Sequence, residues 1–374
     1  MRVREKFYPR YDLSSYSLRQ LHADAMKRYK ECTEKKSQTR INAEISLYKK
    51  FWKCYPYDYF LCELYRKDNP STPDDIINYI PSFFWYYLYL PHHTSYKYHM
   101  IADNKIISEH FFHDLNIAQP ATICRIIDGR VYSPMMQRWT YDNIFSELKK
   151  NRYEKLFLKP AEGGGSQGIV IFTKNSDGEY LTKDHIHSDQ IFLSSVCKSK
   201  EYILQPGISQ DPQFSKIYPE SVNTCRIVTE NKEGRSRVIC AVLRIGRNQN
   251  EVDNAAVGGI FLKIDIESGR LGSHAFSYDL EKFTEHPDTN FEFKNLTIPR
   301  WDEIIKFTED SADKLPFFAH LGWDIALTTE GPVAIEVNLG LGIEILQISH
   351  GGLRREFGID DPDFYWKNPG NRIE

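Results

Sequence analysis

Apolar residues recur at about one helical turn through the first part of the chain. Leu18, Leu21, Ala25 and Tyr29 make one stripe, with Ser14-Ser15 as its cap, and Ile41, Ile45, Tyr48 and Phe51 make a second. Lys and Arg fill the spaces between, and no glycine occurs before Gly129, which suits helices rather than hairpins. The most apolar run, SFFWYYLYL from Ser82 to Leu90, lies between Pro81 and Pro91 and predicts a buried aromatic segment. It is too short to cross a hydrocarbon layer, which takes about 20 helical residues.

The pattern changes near residue 100. Lys105 to Phe112 reads as a short helix, IAQPATICRI as a strand after a proline turn, and Asp142 to Lys150 as another helix. Short β-branched and aromatic runs then predict strands at 155–159, 168–172, 202–205, 224–229, 238–245 and 259–266. A helix follows at about 301–315, then a hairpin of 321–327 with 333–337, and a last helix near 342–350. The expectation is an α+β fold: a helical N-terminal region over residues 1–100, then a catalytic region over 101–374. Within the latter, about 150–210 forms a lid and about 211–374 the metal and substrate part.

Composition narrows the function classes. The 374 residues carry 48 Lys and Arg against 51 Asp and Glu, a net charge of −3, which disfavours a dedicated nucleic-acid binder. Residues 1–50 hold 13 basic and 6 acidic side chains, a local charge of +7, so the rest carries −10. A basic helical face including Lys27, Arg28, Lys30, Lys35 and Lys36 suits peripheral association with a membrane surface or an anionic partner, or simply a solvated face. Seven scattered cysteines, none as C-x-x-C, fit reduced thiols in a cytoplasmic protein. His92-His93 and His185-x-His187 have no carboxylate or cysteine at ligand spacing and read as exposed.

The strongest local signal is LFLKPAEGGGSQGIVIF, Leu156 to Phe172. Gly163, Gly165 and Gly168 satisfy G-x-G-x-x-G, but a strand-like run follows where a dinucleotide fold needs a helix. The loop therefore joins two strands as a flap. Gly164, Gly165 and Gly168 allow backbone N–H groups to approach phosphate oxygens, and Ser166 and Gln167 add donors. Lys159 ends the strand before the flap and brings a positive charge to the same space.

The second signal is GWDIALTTEGPVAIEVN, Gly322 to Asn338. Glu336 and Asn338 share one strand face. A hairpin symmetric about Glu330 sets Asp324 opposite Glu336, so two carboxylates and an amide converge. Such oxygens suit Mg²⁺, and two carboxylates this close repel unless a cation lies between them.

Lysine strand, glycine flap and a distal Asp…Glu-x-Asn hairpin, in this order, resemble the ATP-grasp superfamily, whose fold has two α+β subdomains gripping ATP. The resemblance runs from about Asp103 to His350. It implies that Lys105 reaches a phosphate, that the EYILQPGI hinge holds adenine through Gln205, Pro206 and Ile208, and that Arg226 in SVNTCRIVT faces the reacting phosphoryl group. Many members have an acidic residue where this chain has Gln205. The ribose partner is sought at Gln210 or Asp211. The run LRIGRNQNEVDNAAVGGIFLKID resembles the sugar-transfer-associated branch, linked to cell-surface polysaccharide biosynthesis.

The resemblance implies an ATP-dependent carboxylate–amine ligase working through an acyl phosphate, with ATP and two Mg²⁺ ions as cofactors. Asp324, Glu336 and Asn338 are the metal ligands. Lys105 and Lys159 hold phosphates, Arg226 neutralises the transferring group, and Arg244 either binds the acceptor carboxylate or is a satisfied surface arginine. The partners are small-molecule carboxylates and amines, such as a sugar acid or a lipid-linked glycan. A phosphotransferase acting on a hydroxyl, or a non-catalytic ATP-binding protein, remains open at this stage.

Overall fold

The computed structural model describes residues 18–94, 96–151, 153–198 and 200–368. The Ser14-Ser15 cap lies outside them. Both expected N-terminal helices form, at Leu18–Glu31 and Gln38–Trp52. Ile41, Glu44, Tyr48 and Trp52 make the buried stripe of the second, at three- and four-residue steps. The aromatic run forms a π-helical turn at Trp85–Tyr89, flanked by α-helix, and buries Phe84, Trp85, Leu88 and Tyr89. Within it the rings of Trp85 and Tyr89 stack with centres 4.8 Å apart.

Two antiparallel sheets carry the rest. The first contains β1 (Cys124–Ile127), β2 (Arg130–Tyr132), β3 (Lys155–Pro160), β4 (Val170–Lys174), β5 (Tyr180–Leu181) and β6 (Glu201–Pro206), in the order β2-β1-β6-β3-β4-β5. It draws β1 and β2 from outside the 150–210 span expected of a lid. The second contains β7 (Thr224–Lys232), β8 (Arg235–Ile245), β9 (Ile260–Ile264), β10 (Ala275–Phe276), β11 (Lys282–Phe283), β12 (His320–Leu327) and β13 (Pro332–Asn338), in the order β11-β10-β9-β8-β7-β12-β13.

Strand alternation decides which side chains meet. In β3, Leu156 and Leu158 enter a core with Phe172, Tyr202 and Leu204, so Phe157 and Lys159 face the opposite side. On β7, Cys225 and Ile227 join Leu243, Trp323 and Ile325 under the helix Trp301–Asp313. The other face is divided. Val228, Cys240, Val242 and Phe261 are covered by the helix Ile343–His350 and the N-terminal helices, while Thr224, Arg226 and Arg244 lie at its polar end. The N-terminal helices therefore share one continuous apolar core with the second sheet and with Leu353, Phe357 and Tyr365, across residue 100.

Two of the five basic side chains noted above are taken up locally. Lys36 is buried and donates to both oxygens of Glu44, which also accepts from Tyr59 Oη at 2.6 Å. Lys35 donates to the Tyr29 carbonyl at 2.7 Å, closing the end of the first helix. His93 is half-buried rather than exposed, with Nε2 3.1 Å from Tyr365 Oη. All seven cysteines are unpaired. Among the described residues, no helix is long and apolar enough to cross a membrane.

Candidate active site

A cavity of about 1290 Å³, its open mouth included, lies between the two sheets. Helix Lys105–Asp114, β3, the loop after it, the end of β6, and β8, β12 and β13 supply its walls. Asn104 caps the helix by accepting from the N–H groups of Ile106 and Ile107. Lys105 N–H bonds the Ala161 carbonyl at 2.8 Å, just past β3. These bonds hold Lys105 beside the flap, where Nζ donates to the Gly163 carbonyl at 2.9 Å.

The flap connects β3 and β4 as expected, with Leu158 opposite Val170. Gly165 and Ser166 follow each other at φ 69° and 61°, a left-handed pair that turns the chain sharply. A Cβ at Gly163, Gly164 or Gly165 would meet nothing within 4 Å, so the backbone here stands open. Gly164, Ser166 and Gln167 line the cavity; Gly165 and Gly168 do not.

Lys159 points into the cavity on the face it shares with Phe157. Among the described residues its Nζ has no hydrogen bond or ion-pair partner, and it lies 5.6 Å from the Phe157 ring centre. Burial lowers its pKa from the ordinary 10.5 to about 8; Lys105 adds to the fall, while Glu336 and Asp253 oppose it. At the other end of the cavity, Gln205 is buried and donates through Nε2 to Thr122 Oγ1 at 3.2 Å, leaving Oε1 to accept. Pro206 and Ile208 continue this wall, and the Ile208 N–H has no partner among the described residues.

The hairpin brings Asp324 opposite Glu336, for a reason different from the symmetry argument. The turn has two residues, Thr329 and Glu330, closed by Thr328 and Gly331. The strands leave it with Ile325 opposite Ala334, and a bulge then shifts the register so that Asp324 meets Glu336 and Gly322 meets Asn338. The extra residue, Ile335, lines the cavity next to Glu336.

Asp324 is engaged by two arginines. Arg226 reaches it through Nε and Nη2, and Arg244 Nη1 bonds Oδ2 at 2.8 Å. Arg244 Nη2 bonds Asp253 Oδ1 at 2.9 Å, and Asp253 Oδ2 accepts from the Thr224 backbone and hydroxyl. The result is a buried alternation Asp253–Arg244–Asp324–Arg226 with no net charge. Burial would raise the Asp324 pKa, but the two guanidiniums outweigh it and hold the carboxyl well below the usual range. Burial and the Asp324 charge both push Glu336 up. Asp253, also buried, is raised despite Arg244.

Arg226 and Asn338 lie behind the cavity wall: Arg226 backs Asp324, and Asn338 Nδ2 is 3.4 Å from Glu336 Oε1. Asp211 also lies off the wall and caps a short helix by accepting from Gln213 N–H at 2.8 Å. Arg244 is on the wall, but between two carboxylates rather than open to an acceptor. Phe157 was legible from strand alternation alone, since it precedes Lys159 by two. Glu251 and Asp253 reach the wall from the loop after β8, inside the run LRIGRNQNEVDNAAVGGIFLKID that carries the resemblance, although the resemblance assigns neither a role.

The oxygen donors of Asp324, Glu336 and Asn338 fit a hard cation in type. Glu336 is free of any guanidinium, whereas both Asp324 oxygens are engaged. Among the described residues, no group of three or more His, Cys, Asp and Glu could hold a metal ion.

The model of the sugar-transfer associated ATP-grasp family matches residues 88–357, 270 of the 374 residues. No curated protein matches the chain. Similar solved structures include D-alanyl-alanine synthetase A from Vibrio cholerae O1 biovar eltor, at 14% identity over 72% of this chain and 64% of that one, TM-score 0.41. D-alanine–D-alanine ligase from Bacillus anthracis is similar at 14% identity over 72% of this chain and 66% of that one, TM-score 0.36. Phosphoribosylamine–glycine ligase from Thermotoga maritima is similar at 9% identity over 71% and 57%, TM-score 0.41. The chain thus spans less than two thirds of the length of each of these three proteins.

Proposed function

We infer that this chain, which belongs to the sugar-transfer associated ATP-grasp family, is an ATP-dependent ligase that joins a carboxylate to an amine. The observation that carries this reading is the meeting of Lys105, Lys159 and Glu336 in one cavity, with a glycine flap at one end and unpaired hinge groups at the other. A carboxylate is a poor electrophile at neutral pH. Attack of its oxygen on the γ-phosphorus of ATP breaks the bond to the bridging oxygen and yields an acyl phosphate and ADP. The amine then adds to the acyl carbon, phosphate departs, and the nitrogen loses a proton.

Each step places negative charge beside Lys105, Lys159 and the flap N–H groups, which are arranged before the nucleotide arrives. Gln205 Oε1 and Ile208 N–H match the amino group and a ring nitrogen of adenine. A divalent cation such as Mg²⁺ would be held by Glu336 and Asn338, with Asp324 beside them, and would supply positive charge to the phosphates. With both Asp324 oxygens on arginines, the donor set supports one ion rather than two. Arg226 acts through Asp324, whose position it sets. The family description makes a sugar acid or a glycan-linked carboxylate the first substrate class to try, in polysaccharide biosynthesis.

The test is ATP turnover against a panel of sugar acids and amines, with product analysis. ADP, phosphate and an amide support the ligase; a stable phosphoester would replace it with a phosphotransferase. Full turnover by Glu336→Ala with the true substrates would remove the metal assignment.

A further inference from the structure

Of the five basic side chains that the sequence singles out on the N-terminal helices, Lys35 and Lys36 are taken up locally. A different set of lysines stands open. Lys49, Lys50 and Lys53 are exposed at the end of the helix Gln38–Trp52 and just past it. All three lie on the side away from buried Tyr48 and Trp52, as helical spacing requires. Lys49 and Lys50 have no ion-pair partner among the described residues.

The chain then presents two rings beside them. Lys53 closes the helix in a left-handed conformation, φ 55°. The next four residues alternate: Cys54 and Pro56 are buried, while Tyr55 and Tyr57 are 53% and 39% exposed. Their rings emerge side by side, with centres 4.3 Å apart. Lys49 Nζ lies over the Tyr55 ring at 5.3 Å, and the His22 ring backs Tyr57, nearly parallel at 4.4 Å. The Lys53 ammonium meets Asp363 Oδ1 at 2.5 Å, which brings the helix Pro362–Lys367 alongside with Phe364 and Lys367 exposed.

Lysines at a helix C-terminus complement its dipole, which accounts for Lys49 and Lys50. It does not account for two large rings held in solvent next to them. Tyrosines at the level of lipid headgroups, with lysines facing anionic phosphates, are the combination that a bilayer interface favours. Stacking holds both rings in place before contact, so little order is lost on binding. We propose that the segment from Lys49 to Tyr57, extended by Phe364 and Lys367, is the face by which this protein docks on an anionic lipid surface. This docking face lies outside the nucleotide cavity and does not depend on the ATP reading.

Co-sedimentation of the full chain with vesicles tests this, using phosphatidylcholine alone and phosphatidylcholine with one third phosphatidylglycerol. The unaltered protein should partition onto the anionic vesicles and not onto the neutral ones. Partitioning should fall with salt, since screening shortens to about 8 Å at physiological ionic strength. Lys49→Ala with Lys50→Ala should weaken it roughly fivefold for each lysine removed. Tyr55→Ser with Tyr57→Ser leaves the charge unchanged and should weaken it several-fold. Lys149→Ala with Lys150→Ala removes the same charge from the end of another helix, Tyr141–Lys150, and should change partitioning by less than about twofold. No uptake on anionic vesicles, equal uptake on both kinds, or an equal loss from the Lys149 and Lys150 pair would each overturn the proposal. So would retention by soluble dextran sulfate without uptake on vesicles, which would assign the face to an anionic polymer. Should the tyrosine pair not fold, Tyr55→Ser alone should still lower partitioning, and no change there refutes the assignment.

Discussion

Binding of a nucleotide beside Lys159 should draw a proton from solvent. Burial brings this amine to about 8 in the free protein, with Lys105 adding to the fall and Glu336 opposing it. The drop from 10.5 corresponds to roughly 3 kcal/mol set against the ammonium form. With a pKa of about 8, the amine is neutral in about one tenth of molecules at pH 7, half at pH 8 and nine tenths at pH 9. A phosphate oxygen beside Nζ restores the ammonium, so proton uptake should be about 0.1, 0.5 and 0.9 at those pH values. The nucleotide's own phosphates are fully ionised at pH 8 and 9 and contribute little. Calorimetric titrations in two buffers of different ionisation enthalpy give the uptake directly. Affinity should fall by up to about tenfold per pH unit above 8. Lys159→Arg keeps the charge and should remove the uptake. Uptake near zero at pH 9, or equal uptake in Lys159→Arg, would refute the reasoning. The same group sets a sign for stability. The unfolded chain binds more protons between pH 8 and 10.5, so Lys159 makes the unliganded fold more stable as pH rises through that window.

Glu336→Gln should leave the fold intact and raise its midpoint in urea, because burial and Asp324 disfavour the Glu336 charge; metal-dependent ATP turnover should fall by about 10²–10³. Asp324→Asn strips a charge from between two buried arginines and should cost about 3–5 kcal/mol in denaturant titrations. Glu44→Ala leaves buried Lys36 unpaired and should cost a similar amount, about 3 kcal/mol, with nucleotide affinity unchanged. For Glu230, burial would raise the pKa, but bonds with His320, Lys232 and Arg237 outweigh it and bring it from 4.5 to about 2. Its folded value is depressed, so its stabilisation is complete above pH 4.5 and lost as pH falls towards 2, roughly 3 kcal/mol at most. Glu230→Gln should flatten the stability profile across that window; an unchanged acid slope would count against the assignment.

Local patterning carried the elements. The four-residue stripe of Ile41 and Tyr48, and the alternation of Leu156 and Leu158 with Phe157 and Lys159, are properties of helix and strand geometry and need no partner to be read. The glycine flap was legible because its two flanking strands are β-branched or aromatic runs. The Asp324–Glu336 pairing was reached from an assumed symmetric turn, and the structure delivers it through a two-residue turn plus a bulge at Ile335. Side-chain order along the hairpin survives that difference, while the backbone that produces it was not readable from spacing.

Tertiary structure decided who answers each charge. Sequence alone offered Asp324 as a metal ligand, Arg226 as the partner of the transferring phosphoryl group, and Arg244 as either an acceptor contact or a satisfied surface arginine. Only the pairing of β7 with β8 and β12 turns them, with Asp253, into one neutral buried chain and leaves Glu336, Lys105 and Lys159 to face the cavity. The same holds for the N-terminal helices, whose apolar stripes announce a buried face but not the sheet it covers. Periodicity is a local consequence of backbone geometry. Charge compensation and core sharing depend on residues tens to hundreds of positions apart, and a chain brings these together only by folding.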